Sequence, residues 1–272
     1  MSRSVRVLVG LVVLMALLGA SGCTKLKARD QLNKGVQSYK NARYEEAIEH
    51  FKNAVAYDPT LINARLYLAT AYAQQYIPGA DTEENNRFAL SAIDEFKKVL
   101  DQSPAREAQV GSLKGIASLY FNMKKLEEAK EYNRKVTELD PNDPEAYYSI
   151  GVIDWTQTYA PRMEERAKLG LSPTDDLKDK KVCALLRDKN QAKVDEGIQA
   201  LEKALQLRPD YDDAMAYMNL MYRERADYEC DDPSARAADK KTADEWVDKT
   251  MATKKAKAEK QGASGIVMEQ SQ

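Results

Sequence analysis

The chain has 272 residues, 43% apolar and 31% charged, with 12 glycines, 9 prolines and a net charge of −2. That balance leaves no electrostatic footprint for nucleic acid, and no stretch has the alternating β-branched pattern of strands, so the composition favours helix. Fifteen tyrosines against four phenylalanines suit helices packed with one edge near water.

The first 22 residues have the layout of an export signal. Arg3 and Arg6 form a short basic region, and Val7 to Leu18 is an apolar run of 12 residues, too short to span a bilayer as a stable helix. Removing this segment takes the net charge to −4. It closes on Leu17-Leu18-Gly19-Ala20-Ser21-Gly22-Cys23. The pattern resembles a bacterial lipoprotein signal, in which small residues precede a cysteine that receives diacylglycerol before cleavage; Ala20 departs from the commoner Leu. The resemblance implies a signal peptide over 1–22 and lipidation at Cys23. Thr24 stands where Asp would signal inner-membrane retention, so the resemblance places the protein in the bacterial envelope, at the outer membrane facing the periplasm. Residues 23–27 are expected to be a lipidated terminus and short linker, which keeps the next helix within roughly 20 Å of the membrane.

Residues 28–61 read as two helices and a tight turn. Gly35 and Ala47 are small enough for the helices to touch, Phe51 and Ala54 follow Ala47 on one helical face, and Asp58-Pro59 ends the second helix. Gly35, Ala47, Phe51, Ala54 and Pro59 stand at the offsets of a tetratricopeptide repeat, which this segment resembles. The resemblance implies an all-α solenoid of about four to five stacked helical hairpins.

The second repeat, 62–104, carries Leu68, Ala69 and Tyr72, then Ala92, Phe96 and Val99. Pro78-Gly79 marks an insertion of 11 residues, and Asp81 to Glu84 looks like a helix start. The third, 110–143, has Asn133 where a large apolar residue is usual, so Tyr132 is expected to fill that space. The fourth, 144–209, holds about 34 extra residues. There Pro161, Gly170 and Ser172-Pro173 read as loop signals, with a short helix over 162–169. From Leu177 to Leu205 the apolar spacing fits one long helix, or two with a kink near Asn190. A partial, capping repeat over 212–260 ends the stack. Its last helix is expected to bury Ala235, Ala238, Thr242, Trp246 and Met251, and residues 261–272 to be disordered.

The resemblance also implies that the first helix of each repeat lines a concave side. The candidate partner-groove residues are then Tyr39, Lys40, Phe121, Asn122, Trp155 and Arg223, with Ala73, Gln74, Thr156 and Glu224 at equivalent positions. Tyr39 and Trp155 each follow a position, Ser38 and Asp154, where the repeat's buried tyrosine is missing; each ring serves either the core or the groove. Cys183 and Cys230 form an even pair once Cys23 is acylated. They are either a disulfide, stabilising by about 4 kcal/mol in the chain-entropy model, or two buried thiols. The doublets Asp175-Asp176, Asp212-Asp213 and Asp231-Asp232 each precede a helix and are expected to cap it.

His50 is the sole histidine, and no P-loop, GxSxG, GxGxxG or Cys-His set occurs. No metal, cofactor or catalytic residue is expected. The sequence reads as a membrane-anchored, non-catalytic scaffold that binds proteins or peptides. The alternative, an enzyme or ligand-binding protein, would place its site in the insertion of the fourth repeat, where no recognisable set of polar groups stands.

Overall fold

The computed structural model describes residues 23–173, 175–229 and 231–269, by backbone alone past 260, and those residues form helices and turns without strands. The signal segment 1–22 and Cys230 lie outside the described residues. The helices are α1 (23–40), α2 (Tyr44–Tyr57), α3 (Ile62–Gln75), α4 (Glu83–Gln102), α5 (Arg106–Asn122), α6 (Leu126–Leu139), α7 (Pro144–Lys168), α8 (Lys180–Leu207), α9 (Asp212–Tyr228) and α10 (Pro233–Glu269). They group into two compact units, one ending at Lys125 and one starting at Leu126.

In the first unit each helix packs on its neighbour in the chain. A Cβ on Gly35 would collide with the Phe51 ring, so the glycine is what lets α1 and α2 close. Ala47, Phe51 and Ala54 are fully buried there, and Tyr67 of α3 stacks on Phe51 at 5.5 Å between centroids. The turn after α1 places Ala42 at φ +57°, and Arg43 N–H donates to the Ser38 carbonyl at 2.9 Å. Lys124 repeats this after α5, at φ +61°, with Lys125 N–H on Tyr120. A left-handed residue costs a non-glycine about 1–2 kcal/mol, and the added carbonyl capping offsets it. At the joint into α3 the Asp58 carboxylate accepts from the Thr60 N–H (3.1 Å) and hydroxyl (2.6 Å). The insertion of the second repeat is an ordered loop. Buried Asn85 accepts from Ile77 N–H (2.8 Å) and donates to the carbonyls of Ile77 (2.9 Å) and Ala80 (2.7 Å), while Thr82 caps α4.

The second unit departs further from expectation. α7 does not stop at Pro161; it runs unbroken for 25 residues. The proline cannot donate to the Gln157 carbonyl, but the helix is held from outside: Asn190 of α8 donates to the Thr158 carbonyl (3.2 Å), and Arg162 and Arg166 are anchored on α9. α8 is the first of the two expected alternatives, one helix of 28 residues, with Asn190 buried inside it.

Four other expectations are corrected. Residues 23–27 are helical, so α1 includes the segment read as a linker. Asn133, not Tyr132, faces the interior, its amide satisfied by the Ala129 carbonyl at 2.9 Å, while Lys135 lies over the half-buried Tyr132 ring. α10 buries Asp239, Ala243 and Thr250 instead of Ala238 and Met251, the latter 65% exposed. The face is turned because Arg225 of α9 draws Asp239 inward (2.8 Å), an ion pair that an apolar stripe does not reveal. Finally, α10 continues to Glu269, through the stretch read as disordered except for 270–272, which lie outside the described residues. Extending a helix already formed is far easier than nucleating one, and two glycines at about 1 kcal/mol each do not end it.

The close approaches at glycines can be tested in pairs. A Cβ on Gly151 would lie 2.5 Å from Leu201 Cγ, whereas one on Gly111 of α5 meets nothing within 4 Å. Gly151→Ala should lower the free energy of unfolding by about 1–3 kcal/mol. Gly111→Ala should raise it by about 0.5–1 kcal/mol. Urea melts of both variants check this, and shifts of the same sign would contradict the packing.

Candidate functional site

The predicted groove residues divide between the two units. In the first, Tyr39 is half-buried against the α1–α2 core, edge-to-face with Tyr44 at 5.3 Å. Lys40 is exposed at the end of α1, and Phe121 and Asn122 are half-buried at the end of α5. In the second, Arg223 reaches α10, where it pairs with Asp244 at 2.7 Å. Glu224 is not a groove residue: it is buried and paired with Arg162. Trp155 stands at the centre of a larger aromatic group.

That group lies on α7 and α9, which pack side by side. Tyr148, Trp155 and Tyr159 are seven and four residues apart on α7 and so share one face. Tyr217 projects from α9, and Tyr211 stands just before it. Trp155 lies 4.8 Å from Tyr159 and 5.4 Å, edge-on, from Tyr217. Tyr148 lies 5.6 Å from Tyr217 and 4.8 Å from Tyr211. The rings are half-buried and Tyr159 is 41% exposed, so the ribbon has one edge in the core and one in solvent. Burial raises the Tyr148 and Tyr217 hydroxyls above the ordinary phenol value, with Asp213 adding to both, and takes Tyr211 to about 12. All three stay neutral at physiological pH and can donate a hydrogen bond.

About a quarter turn around α7 runs a second row: Asp154, Thr158, Arg162 and Arg166, four residues apart and all buried. Asp154 accepts from Lys130 of α6 at 2.7 Å, and Lys130 also reaches Glu196 of α8 at 3.3 Å. Asp227 of α9 bridges Arg162 Nε and Arg166 Nη1, both at 2.6 Å, and Glu224 takes Arg162 Nη1 at 3.3 Å. Arg166 Nη2 donates to the carbonyls of Ser172 and Asp175, each at 2.5 Å. Buried charges are tolerated only when paired, and these pairs tie α7 to α6, to α9 and to the turn that follows it, with Lys130 linking on to α8. Two oxygens, Asp154 Oδ2 and Glu224 Oε2, have no partner among the described residues. Burial pushes Asp154 up to about 6 against the opposing Lys130, and Glu224 up to about 7 against the opposing Arg162. The sequence signal for this row was its four-residue spacing of charge, masked by the loop reading of Pro161.

The insertion's cleft, about 510 Å³, is lined by Leu169, Leu171, Asp175, Asp176, Lys178 and Asp179. Its carboxylates are engaged in holding the fold: Asp175 accepts from Ser172 N–H (2.6 Å), Asp176 pairs with Lys240, and Asp179 caps α8. Of the three acidic doublets, Asp231-Asp232 caps through Asp232 on Ser234 and Ala235 N–H, and Asp212-Asp213 stand in the first turn of α9, where carboxylates suit the helix dipole. Asp212 also pairs with Lys257 of α10. Cys183 is buried and disulfide-bonded, its sulfur 3.1 Å from the Tyr228 carbonyl oxygen; its expected partner Cys230 lies outside the described residues. Cys23 is a free, exposed thiol. Among the described residues no group of three or more His, Cys, Asp or Glu is placed to hold a metal ion, and no helix is long and apolar enough to cross a membrane.

A family model described as tetratricopeptide repeat matches residues 115–143. No curated protein matches the sequence. Among solved structures the chain is similar to the MamA protein, at 16% identity over 86% of this chain and 94% of that one, with a TM-score of 0.56. It is similar to MamA (41-end) from Desulfovibrio magneticus RS-1, at 19% identity over 85% and 96%, with a TM-score of 0.54. It is also similar to YrrB, described as a TPR protein with an unusual peptide-binding site, at 14% identity over 84% and 90%, with a TM-score of 0.50. Identities this low establish a common fold, that of stacked helical pairs.

The buried row has a pH signature. A carboxyl raised from 4.5 to about 7 in the folded state keeps its proton after the unfolded chain has lost it, so its contribution is full below pH 4.5 and is lost as pH rises to about 7. Glu224→Gln should remove this dependence, flattening the stability profile across that window by up to about 3 kcal/mol. Urea unfolding at a series of pH values checks it; a variant profile parallel to the parent's would contradict the assignment.

Proposed function

Because the chain is a tetratricopeptide-repeat protein, we propose that it is a non-catalytic scaffold that binds a segment of a partner protein on the aromatic ribbon of α7 and α9, while Cys23 anchors it by lipid in the bacterial envelope. The ribbon carries this reading. Half-buried Trp and Tyr rings with one solvent edge supply large contact area at little conformational entropy, and such rings dominate binding hot spots. Tyrosine hydroxyls beside them supply donors for the partner's backbone. YrrB, which shares the fold, is described as having a peptide-binding site, and this chain is read as using its helical pairs for the same class of task.

The anchor rests on the lipoprotein-like run ending at Cys23, and the same run carries the proposal of an outer-membrane, periplasm-facing location. Cys23 lies at the start of helical residues, so acylation there would hold α1 close to the lipid: the first core residue, Ala28, is about 8 Å along the helix axis. Two or more acyl chains give stable attachment where one does not.

Crosslinking in intact envelopes followed by capture of this chain should recover a defined set of partners. The double variant Trp155→Ala, Tyr217→Ala should reduce that recovery at least about tenfold, the loss expected of hot-spot residues, with helicity unchanged by circular dichroism. Undiminished recovery by the folded variant would overturn the ribbon reading. Separately, Cys23→Ala should move the protein from the membrane to the soluble fraction, and retention in the membrane would remove the lipid anchor.

A further inference from the structure

The charges around the ribbon specify its guest more closely, on the premise that the ribbon is the binding site. Cations already stack on aromatic rings in the second unit. Arg208 lies 4.5 Å over Tyr211 and pairs with Glu145 at 3.3 Å; Arg225 covers Tyr222 and Lys249 covers Trp246. Trp155, Tyr159, Tyr217 and Tyr148 carry no such cation among the described residues. An acid stands beside them. Asp213, one helical turn from Tyr217, is exposed, acts electrostatically on Tyr148, Tyr211, Tyr217 and Lys257, and makes no hydrogen bond or ion pair among the described residues. The nearby Lys257 is engaged by Asp212.

We propose that the ribbon accepts an extended protein segment bearing an arginine or lysine, whose cation stacks on the Trp155–Tyr217 rings and pairs with Asp213. The chain's own Arg208 shows the arrangement in miniature: an aromatic face beneath a guanidinium and a carboxylate at its edge. A cation over an aromatic face is attracted by the ring's quadrupole, most strongly for Trp. A carboxylate beside it selects against acidic segments, which would meet like charge. A planar guanidinium suits both partners better than an ammonium does.

The test uses the full chain with two short dye-labelled peptides, one alternating Arg and Pro and one alternating Glu and Pro, read by fluorescence anisotropy. The Arg peptide should bind, weaken as salt is raised, and exceed the Glu peptide by at least about tenfold in affinity. Asp213→Lys should cut Arg-peptide affinity about tenfold or invert the preference, and Trp155→Leu should cut it by a similar factor. Equal binding of both peptides, absence of Arg-peptide binding, or indifference to both substitutions in folded variants would overturn the proposal. If the Arg peptide fails while envelope capture still depends on Trp155 and Tyr217, the charge selection falls and the scaffold reading stands.

Discussion

A single carboxylate holds the distinctive part of this fold together. Asp227 accepts from Arg162 and Arg166, one turn apart on α7, in a site where none of the three is exposed. Without that bridge the residues after Pro161 would have little reason to remain helical, since an interior proline costs a helix about 3 kcal/mol or more. With it, the last two turns of α7 are fixed to α9, and the free arm of Arg166 gathers the carbonyls of the following turn. The insertion of the fourth repeat therefore extends α7 and α8, and the turn between them is pinned.

The buried row and the aromatic ribbon occupy adjacent faces of the same helix. One face is locked by ion pairs to α6 and α9 and by the Asn190 hydrogen bond from α8, and the other presents Tyr148, Trp155 and Tyr159 beside Tyr217. A recognition surface built on a helix clamped from several sides loses little freedom when a guest arrives, which is how preorganisation raises affinity. Mostly shared, paired charge does this work in place of a fully apolar core. That choice brings carboxyls raised well above their usual range and two oxygens left without partners among the described residues.

The helical pairs were legible because their seams obey a simple steric rule. Gly35 under Phe51 and Gly151 facing Leu201 are positions where a side chain has no room, and small residues at the repeat's spacing mark them in the sequence; Gly115 facing Phe96 is a third such approach that the sequence reading did not single out. The joint at Pro59 was legible for a local reason too. What the sequence hid was long-range. Pro161 and Gly170 are ordinary loop signals, and only Asp227, more than sixty residues later, reverses the first of them. Asp239 turns α10 toward Arg225, and Asp212, in the first turn of α9, also reaches Lys257; Asn133 is the local exception, satisfied within its own helix. For the candidate site, Trp155 was legible from its offset in the repeat. Its neighbours Tyr159 and Tyr217 were not, because the first lies in the stretch read as insertion and the second depends on how α9 rolls against α7.

The account depends on α7 being one rigid helix across Pro161. Amide hydrogen exchange along residues 144–168 tests this most directly. Slow exchange should continue past residue 161 to the last turn of α7 and be lost there when Asp227 is replaced by Asn. Rapid exchange of residues 162–168 in the unaltered protein, with protection confined to the segment before the proline, would contradict it.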